Sequence, residues 1–198
     1  MTKRKQVDRN ARKSRTGANR NTLILAALLI GLVGYWAFTQ FSDGAGNYPG
    51  LVEGVFYQDP AVSADGGGVA VPKVFVEENR LVFIDVKLEE PTTELVYQGR
   101  TIPLSLYGDG EVLPLIIIST PKGKVITGIR VCEPCGSFSF HIVEKRYLQC
   151  DACGTRWNIE TLQGVSGGCT KYPPPALSAS TSDVVQINIA STGLRAQA

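Results

Sequence analysis

Four of the five cysteines come as two Cys-x-x-Cys pairs, Cys132/Cys135 and Cys150/Cys153, with fourteen residues between them. A turn of that kind aims two sulfurs at one point. A short hairpin between two such turns brings the points together, so that four thiolates can enclose a metal centre. The intervening sequence suits a hairpin: Ser137 to Val143 (SFSFHIV) and Arg146 to Gln149 (RYLQ) are rich in aromatic and β-branched residues, and Glu144-Lys145 supplies polar turn material. The spacing therefore predicts two facing knuckles, and the rest of the fold has to accommodate them.

At 198 residues there is room for one domain plus a tail or anchor. The chain as a whole carries +2, yet residues 1–20 alone hold eight Lys/Arg against one Asp and carry +7, which leaves the remainder at −5. A nucleic-acid surface needs its cations clustered on the folded domain, so that partner class is excluded. A membrane anchor directly after the basic tail explains its charge better. From Thr22 to Phe41 there is no charged residue, and about 20 apolar residues at 1.5 Å rise span the hydrocarbon core of a bilayer. Tyr35 and Trp36 lie toward the far end, where an aromatic belt would sit. The positive-inside rule keeps the tail cytoplasmic and places the C-terminal part outside. A cleaved signal peptide, with Gly44-Ala45-Gly46 as its cleavage point, is the competing reading, but the apolar run exceeds the 7–15 residues of a usual signal core.

The expected layout is a basic, disordered cytoplasmic tail over residues 1–21 and a transmembrane helix over 22–41 that contacts membrane lipid. A linker over 42–68, an all-β metal-binding domain over 69–192 and a disordered tail over 193–198 would complete the chain. Localisation would be the cell membrane, single-pass. Within the domain, Val69–Val76 and Arg80–Leu88 read as strands joined by Glu77-Glu78-Asn79, with Pro72 suggesting an edge position. Leu95–Tyr97 and Thr101–Leu106 flank Gly99-Arg100 as a hairpin. Leu113–Thr120 reads as a buried strand, Val125–Val131 as the strand that delivers Cys132, and Asp183–Ile189 as a last strand. No convincing 3.6-residue period occurs after residue 41. The expected fold class is an all-β exported domain, a small barrel or sandwich of seven to ten short strands with a Rieske-like or zinc-ribbon-like cysteine subdomain, preceded by one transmembrane helix.

Exported cysteines usually form disulfides, but five is an odd number and vicinal pairs make small, reducible rings. Four ligands plus one further thiol is the stronger design. Zinc and iron–sulfur chemistry both take four thiolates, and spacing alone favours a zinc ribbon. No nucleophile elbow, phosphate loop or haem-attachment pattern occurs, and a single histidine supports no triad.

Downstream of Cys153 lie Gly154, Trp157, a glycine turn at Gly164, Gly167-Gly168 and a proline loop ending in Leu177. This order resembles the second cluster-binding loop of Rieske proteins, with Cys135 and Cys153 at the histidine places, so a His-ligated Rieske centre is excluded on ligand type. Over Ile102 to Ile189, the segment PLSLYGDGEVLPLIIISTPKGKVITGIRVCEPCG, the CDACG turn, Gly167-Gly168-Cys169 and the DVVQINI strand resemble the FtrD-like family of membrane iron–sulfur-containing proteins. The resemblance implies an iron–sulfur cluster, [2Fe–2S] on Cys132, Cys135, Cys150 and Cys153, that passes electrons at the outer membrane surface to a redox partner protein, in metal uptake or respiration. Its alternatives are a structural zinc ribbon and a thiol–disulfide exchanger. An all-thiolate cluster would have a potential below Rieske values, with backbone N–H groups of Gly136, Gly154 and Gly168 offsetting part of the charge. Cys169 is an alternative ligand, a disulfide partner or a buried thiol. His141 is expected to be structural, and Trp157 and Tyr172 are expected to pack over the site.

Overall fold

A computed structural model describes Gly31 and residues 48–197. The helix expected over 22–41 lies, apart from Gly31, outside these residues, as does the tail over 1–21. Among the described residues no helix is long and apolar enough to cross a membrane. The described residues 48–197 form one compact unit.

In chain order the strands begin with β1 (Leu51–Glu53), β2 (Val55–Phe56), β3 (Ala61–Val62) and β4 (Gly68–Pro72). Helix α1 (Lys73–Asn79) is followed by β5 (Leu81–Lys87), β6 (Glu94–Tyr97), β7 (Arg100–Pro103), β8 (Val112–Ser119) and β9 (Val125–Ile129). Next come β10 (Phe140–Val143), β11 (Tyr147–Cys150), β12 (Arg156–Asn158) and β13 (Gly164–Ser166). The chain finishes with β14 (Ala176–Leu177), β15 (Ala179–Thr181) and β16 (Val184–Asn188). No barrel closes. A central sheet ordered β14-β9-β8-β5-β2 separates the cysteine-bearing sheet β1-β10-β11-β12-β13 from a third sheet, β15-β16-β4-β3, and β6-β7 forms a separate hairpin.

The central strands explain the layering. In β5, Val82, Ile84 and Val86 enter one hydrophobic core with β4 and β16, whereas Leu81 and Phe83 enter a second core with β10, β11 and β12. Strand β8 divides likewise, with Leu113, Leu115 and Ile117 on one side and Ile116 and Ile118 on the other. Successive side chains of a strand point to opposite faces, so a strand covered on both faces must be apolar throughout. That accounts for the unbroken run at residues 113–118.

Four expectations need correction. The strand expected over Val69–Val76 ends at Pro72, and Lys73–Asn79 is a helix, supported by an i,i+4 ion pair between Lys73 and Glu77 at 2.5 Å. Strands β4 and β5 belong to different sheets, so a tight turn cannot connect them and one helical segment bridges the layers. Strand β4 is also not an edge, since it lies between β16 and β3; β3 covers only Val69 and Ala70, so Pro72 falls where one side is unpaired.

The segment 42–68 is no linker from residue 48 onward. Tyr48 is buried with its hydroxyl donating to the Ser119 carbonyl at 3.0 Å, β1 pairs with β10, and β2 pairs in parallel with β5. The segment thus stitches the cysteine sheet to the central sheet. Residues 193–197 are not a disordered tail either. Ala196 is fully buried, its N–H bonds the Gly66 carbonyl at 2.8 Å, and Gln197 N–H bonds the Lys87 carbonyl at 2.9 Å. In both places the ordering bonds run to residues far away in sequence.

Candidate metal centre

The two cysteine turns are built alike. Cys132 N–H donates to the Ser137 carbonyl at 2.8 Å and Cys150 N–H to the Thr155 carbonyl at 3.0 Å, the same five-residue closure in each. Each turn then needs a left-handed residue directly after its second cysteine, and only glycine adopts that conformation without Cβ strain. Gly136 (φ 63°) and Gly154 (φ 66°) fill those places. The hairpin β10–β11 pairs Phe140 with Cys150 and Val143 with Tyr147, turning through Glu144 and Lys145, both at positive φ. As a result the knuckles face each other.

All four sulfurs lie within 4.8 Å of one another. The Cys132 and Cys153 sulfurs are 3.9 Å apart, and those of Cys135 and Cys150 3.6 Å apart, so the two knuckles meet sulfur to sulfur. Cys169, buried in the same core as Cys132 and Cys150, does not join this group. Cys132 and Cys150 are buried, while Cys135 and Cys153 reach the surface. Four free thiols at these separations, none bonded to another as a disulfide, form a soft, all-sulfur donor set of the kind that takes zinc or iron.

Two of the three glycine N–H groups expected to reach the sulfurs are used elsewhere: Gly136 donates to the Glu133 carbonyl at 3.2 Å and Gly154 to that of Cys150 at 2.9 Å. The dipoles that lower the thiols are instead those of Ser137 N–H, which also donates to the Cys132 carbonyl at 3.3 Å, at Cys135 and of Thr155 N–H at Cys153, one residue beyond each glycine. Thr155 also places its hydroxyl 3.3 Å from the Cys153 sulfur. Burial pushes Cys132 and Cys135 up, Cys135 to about 11. At Cys153 burial is outweighed by the Thr155 hydroxyl and N–H and by bonds from the neighbouring thiols, which leave it at about 6. In the reduced, metal-free chain, iodoacetamide should therefore modify Cys153 first, with a rate that rises through about pH 6, and peptide mapping after a timed pulse reads the order. Thr155→Val should move that midpoint upward. Equal labelling of Cys135 and Cys153 at pH 7 would contradict the assignment.

A cover is packed over the centre. A Cβ at Gly167 would lie 2.6 Å from the Thr155 Cα, so only glycine permits that approach, and Cys169 N–H donates to the Thr155 hydroxyl at 3.1 Å. Arg100, which carries no motif that would mark it in the sequence, ties cover to knuckle. Its Nε meets the Glu133 carboxylate at 2.9 Å, its Nη1 donates to the Pro173 carbonyl at 2.8 Å, and its guanidinium lies over the Tyr172 ring. Trp157 is buried below, its Nε1 donating to the Thr170 carbonyl at 3.2 Å, whereas Tyr172 is partly exposed. His141 stands outside the sulfur group, with Nδ1 against the Asp151 carboxylate, which the Ser139 hydroxyl also reaches. That network fastens the second knuckle to β10.

The sequence model of the family described as membrane iron–sulfur containing protein, FtrD-like, matches residues 98–198, from the β6–β7 turn through both knuckles and the cover to the C-terminus. The chain belongs to this FtrD-like family. No curated protein matches it. Membership makes iron–sulfur chemistry the family's description, and the cluster of four cysteines fits an iron–sulfur protein. The FtrD-like match begins at the turn of the β6–β7 hairpin and so leaves out β1 to β6 and α1, including the central strand β5.

Proposed function

We propose that the protein is a single-pass membrane protein whose C-terminal domain, displayed outside the cytoplasm, carries electrons through iron held by Cys132, Cys135, Cys150 and Cys153. The observation that supports this best is the mutual approach of four sulfurs within 4.8 Å in a chain of a membrane iron–sulfur family. The apolar run over residues 22–41, with cations on its N-terminal side, supports the anchor and its orientation. Iron bound by thiolates cycles between two oxidation states one electron apart.

The chain's own residues serve that exchange in three ways. Cys132 and Cys150 sit under the cover, away from water, so the centre is held rigidly. Cys135 and Cys153 reach the surface, which shortens the path to a redox partner protein. The N–H groups of Ser137 and Thr155 and the Thr155 hydroxyl point positive dipoles at sulfur and favour the more negative, reduced state. Metal uptake or respiration is the setting in which such a carrier would work.

A second reading is a structural zinc ribbon, favoured by the likeness of the two knuckles. Full-length protein purified in detergent without chelators separates the two. The carrier should be coloured, bleach with dithionite and recover in air. A colourless protein that holds zinc would establish the ribbon and overturn the carrier. Thiol–disulfide exchange is disfavoured, since sulfur contacts of 3.6 and 3.9 Å join the two pairs into one group of four free thiols.

A further inference from the structure

We infer that the cage is built for a single tetrahedrally held metal ion and not for the two-iron cluster expected from the sequence. This rests on the ligand set proposed above and deepens it.

Four sulfurs define six separations. Around one ion with metal–sulfur bonds of about 2.3 Å, all six are edges of one tetrahedron, each about 3.8 Å long. Across a [2Fe–2S] cluster only the two pairs that share an iron are such edges, and the other four must also span the iron–iron vector. Here all six fall within 4.8 Å, and two of them, at 3.6 and 3.9 Å, bracket the single-ion edge.

No assignment of cysteines to two irons rescues the larger group. If each knuckle held one iron, Cys132–Cys153 and Cys135–Cys150 would be long, yet they are 3.9 and 3.6 Å. If each iron took one cysteine from each knuckle along those contacts, the separations within Cys132/Cys135 and Cys150/Cys153 would have to be long, and both lie under 4.8 Å. Pairing Cys132 with Cys150 on one iron and Cys135 with Cys153 on the other fails on the same short contacts. The wider cage is also closed off by the fold. The β10–β11 pairing sets Cys150 opposite Phe140, the Cys132–Ser137 bridge closes the first knuckle, and Gly167 presses the cover onto Thr155. Spreading the knuckles would break these contacts together. Cys169 is held off by its N–H bond to Thr155 and leaves the set at four.

The test is a count on the full-length chain in detergent. As purified, it should contain one metal ion per chain and no acid-labile sulfide. After metal removal under reducing conditions, titration with Co²⁺ alone should produce tetrahedral thiolate bands that stop growing at one equivalent. Cys169→Ala should keep the same endpoint. Two irons with two sulfides per chain, a cobalt endpoint at two equivalents, a metal-free protein, or an endpoint lowered by Cys169→Ala would each overturn the inference. The two proposals fail separately. One tightly held zinc without redox activity sinks the electron carrier and keeps the single-ion cage, whereas a reducible two-iron cluster does the reverse.

Discussion

Replacing Cys150 with serine should abolish metal binding and cause the largest loss of stability of any single change in the domain. The Cys150 sulfur is fully buried, 3.6 Å from that of Cys135, at the end of β11, and its backbone closes the second knuckle. A serine hydroxyl fits the space but does not ionise near neutral pH, so the set loses a charged donor where water cannot replace it. Apparent binding free energies for structural zinc sites run to about 10–16 kcal/mol, and most of that coupling to folding would disappear. Cys132→Ser should behave alike. Cys135→Ser and Cys153→Ser, at the surface, should leave a weakened three-sulfur site that water completes. Metal content by mass spectrometry with thermal unfolding by circular dichroism checks the ranking, and full metal occupancy in Cys150→Ser would refute it.

The second large effect is expected at Arg130, two residues before the first knuckle. Its side chain is only 3% exposed, and its guanidinium sits over three rings, 4.6 Å from the centre of Phe83 and 4.9 Å from those of Phe56 and Tyr107. It donates to the Phe138 carbonyl at 2.7 Å, to Asp85 at 2.5 Å and to the Tyr107 hydroxyl at 2.8 Å, and that hydroxyl donates to the other Asp85 oxygen at 2.6 Å. Arg130→Ala empties the space between the rings and strips a buried carbonyl of its donor. Asp85 is one-third exposed, so the charge left behind is partly solvated and the cost stays below that of a fully buried broken pair. The expected loss is about 3 kcal/mol, read as a lower urea midpoint. Arg130→Lys should recover only part of it, because an ammonium cannot reach three acceptors in one plane or stack between rings. An unchanged midpoint in Arg130→Ala would contradict this account.

Legibility followed the range of the interactions. The hairpin Phe140–Cys150, the strands Leu81–Lys87 and Val112–Ser119, and a turn near Gly99, expected at Gly99-Arg100 and found one residue earlier, were readable because alternation and turn chemistry act over a few residues. The strands at residues 51–62 were not, because two- and three-residue segments carry no period, and β1 and β2 owe their form to β10 and β5, far along the chain. Helix α1 escaped for a related reason: seven residues with Val74 and Val76 look extended until their neighbours are seen to lie in different sheets.

By itself the sequence determined which atoms meet at the centre, since a Cys-x-x-Cys-Gly turn closes on its own backbone and a four-residue strand on either side of Glu144-Lys145 brings two of them face to face. Only the tertiary structure decided how far apart the four sulfurs stand, which two are covered, and that Ser137 and Thr155 supply the donors. Those properties depend on Gly167 meeting Thr155, on Arg100 joining Glu133 to Pro173, and on β1 clasping β10. Contacts between residues so distant along the chain have no local signature, because each is stabilised by packing that exists only once the three sheets have been stacked.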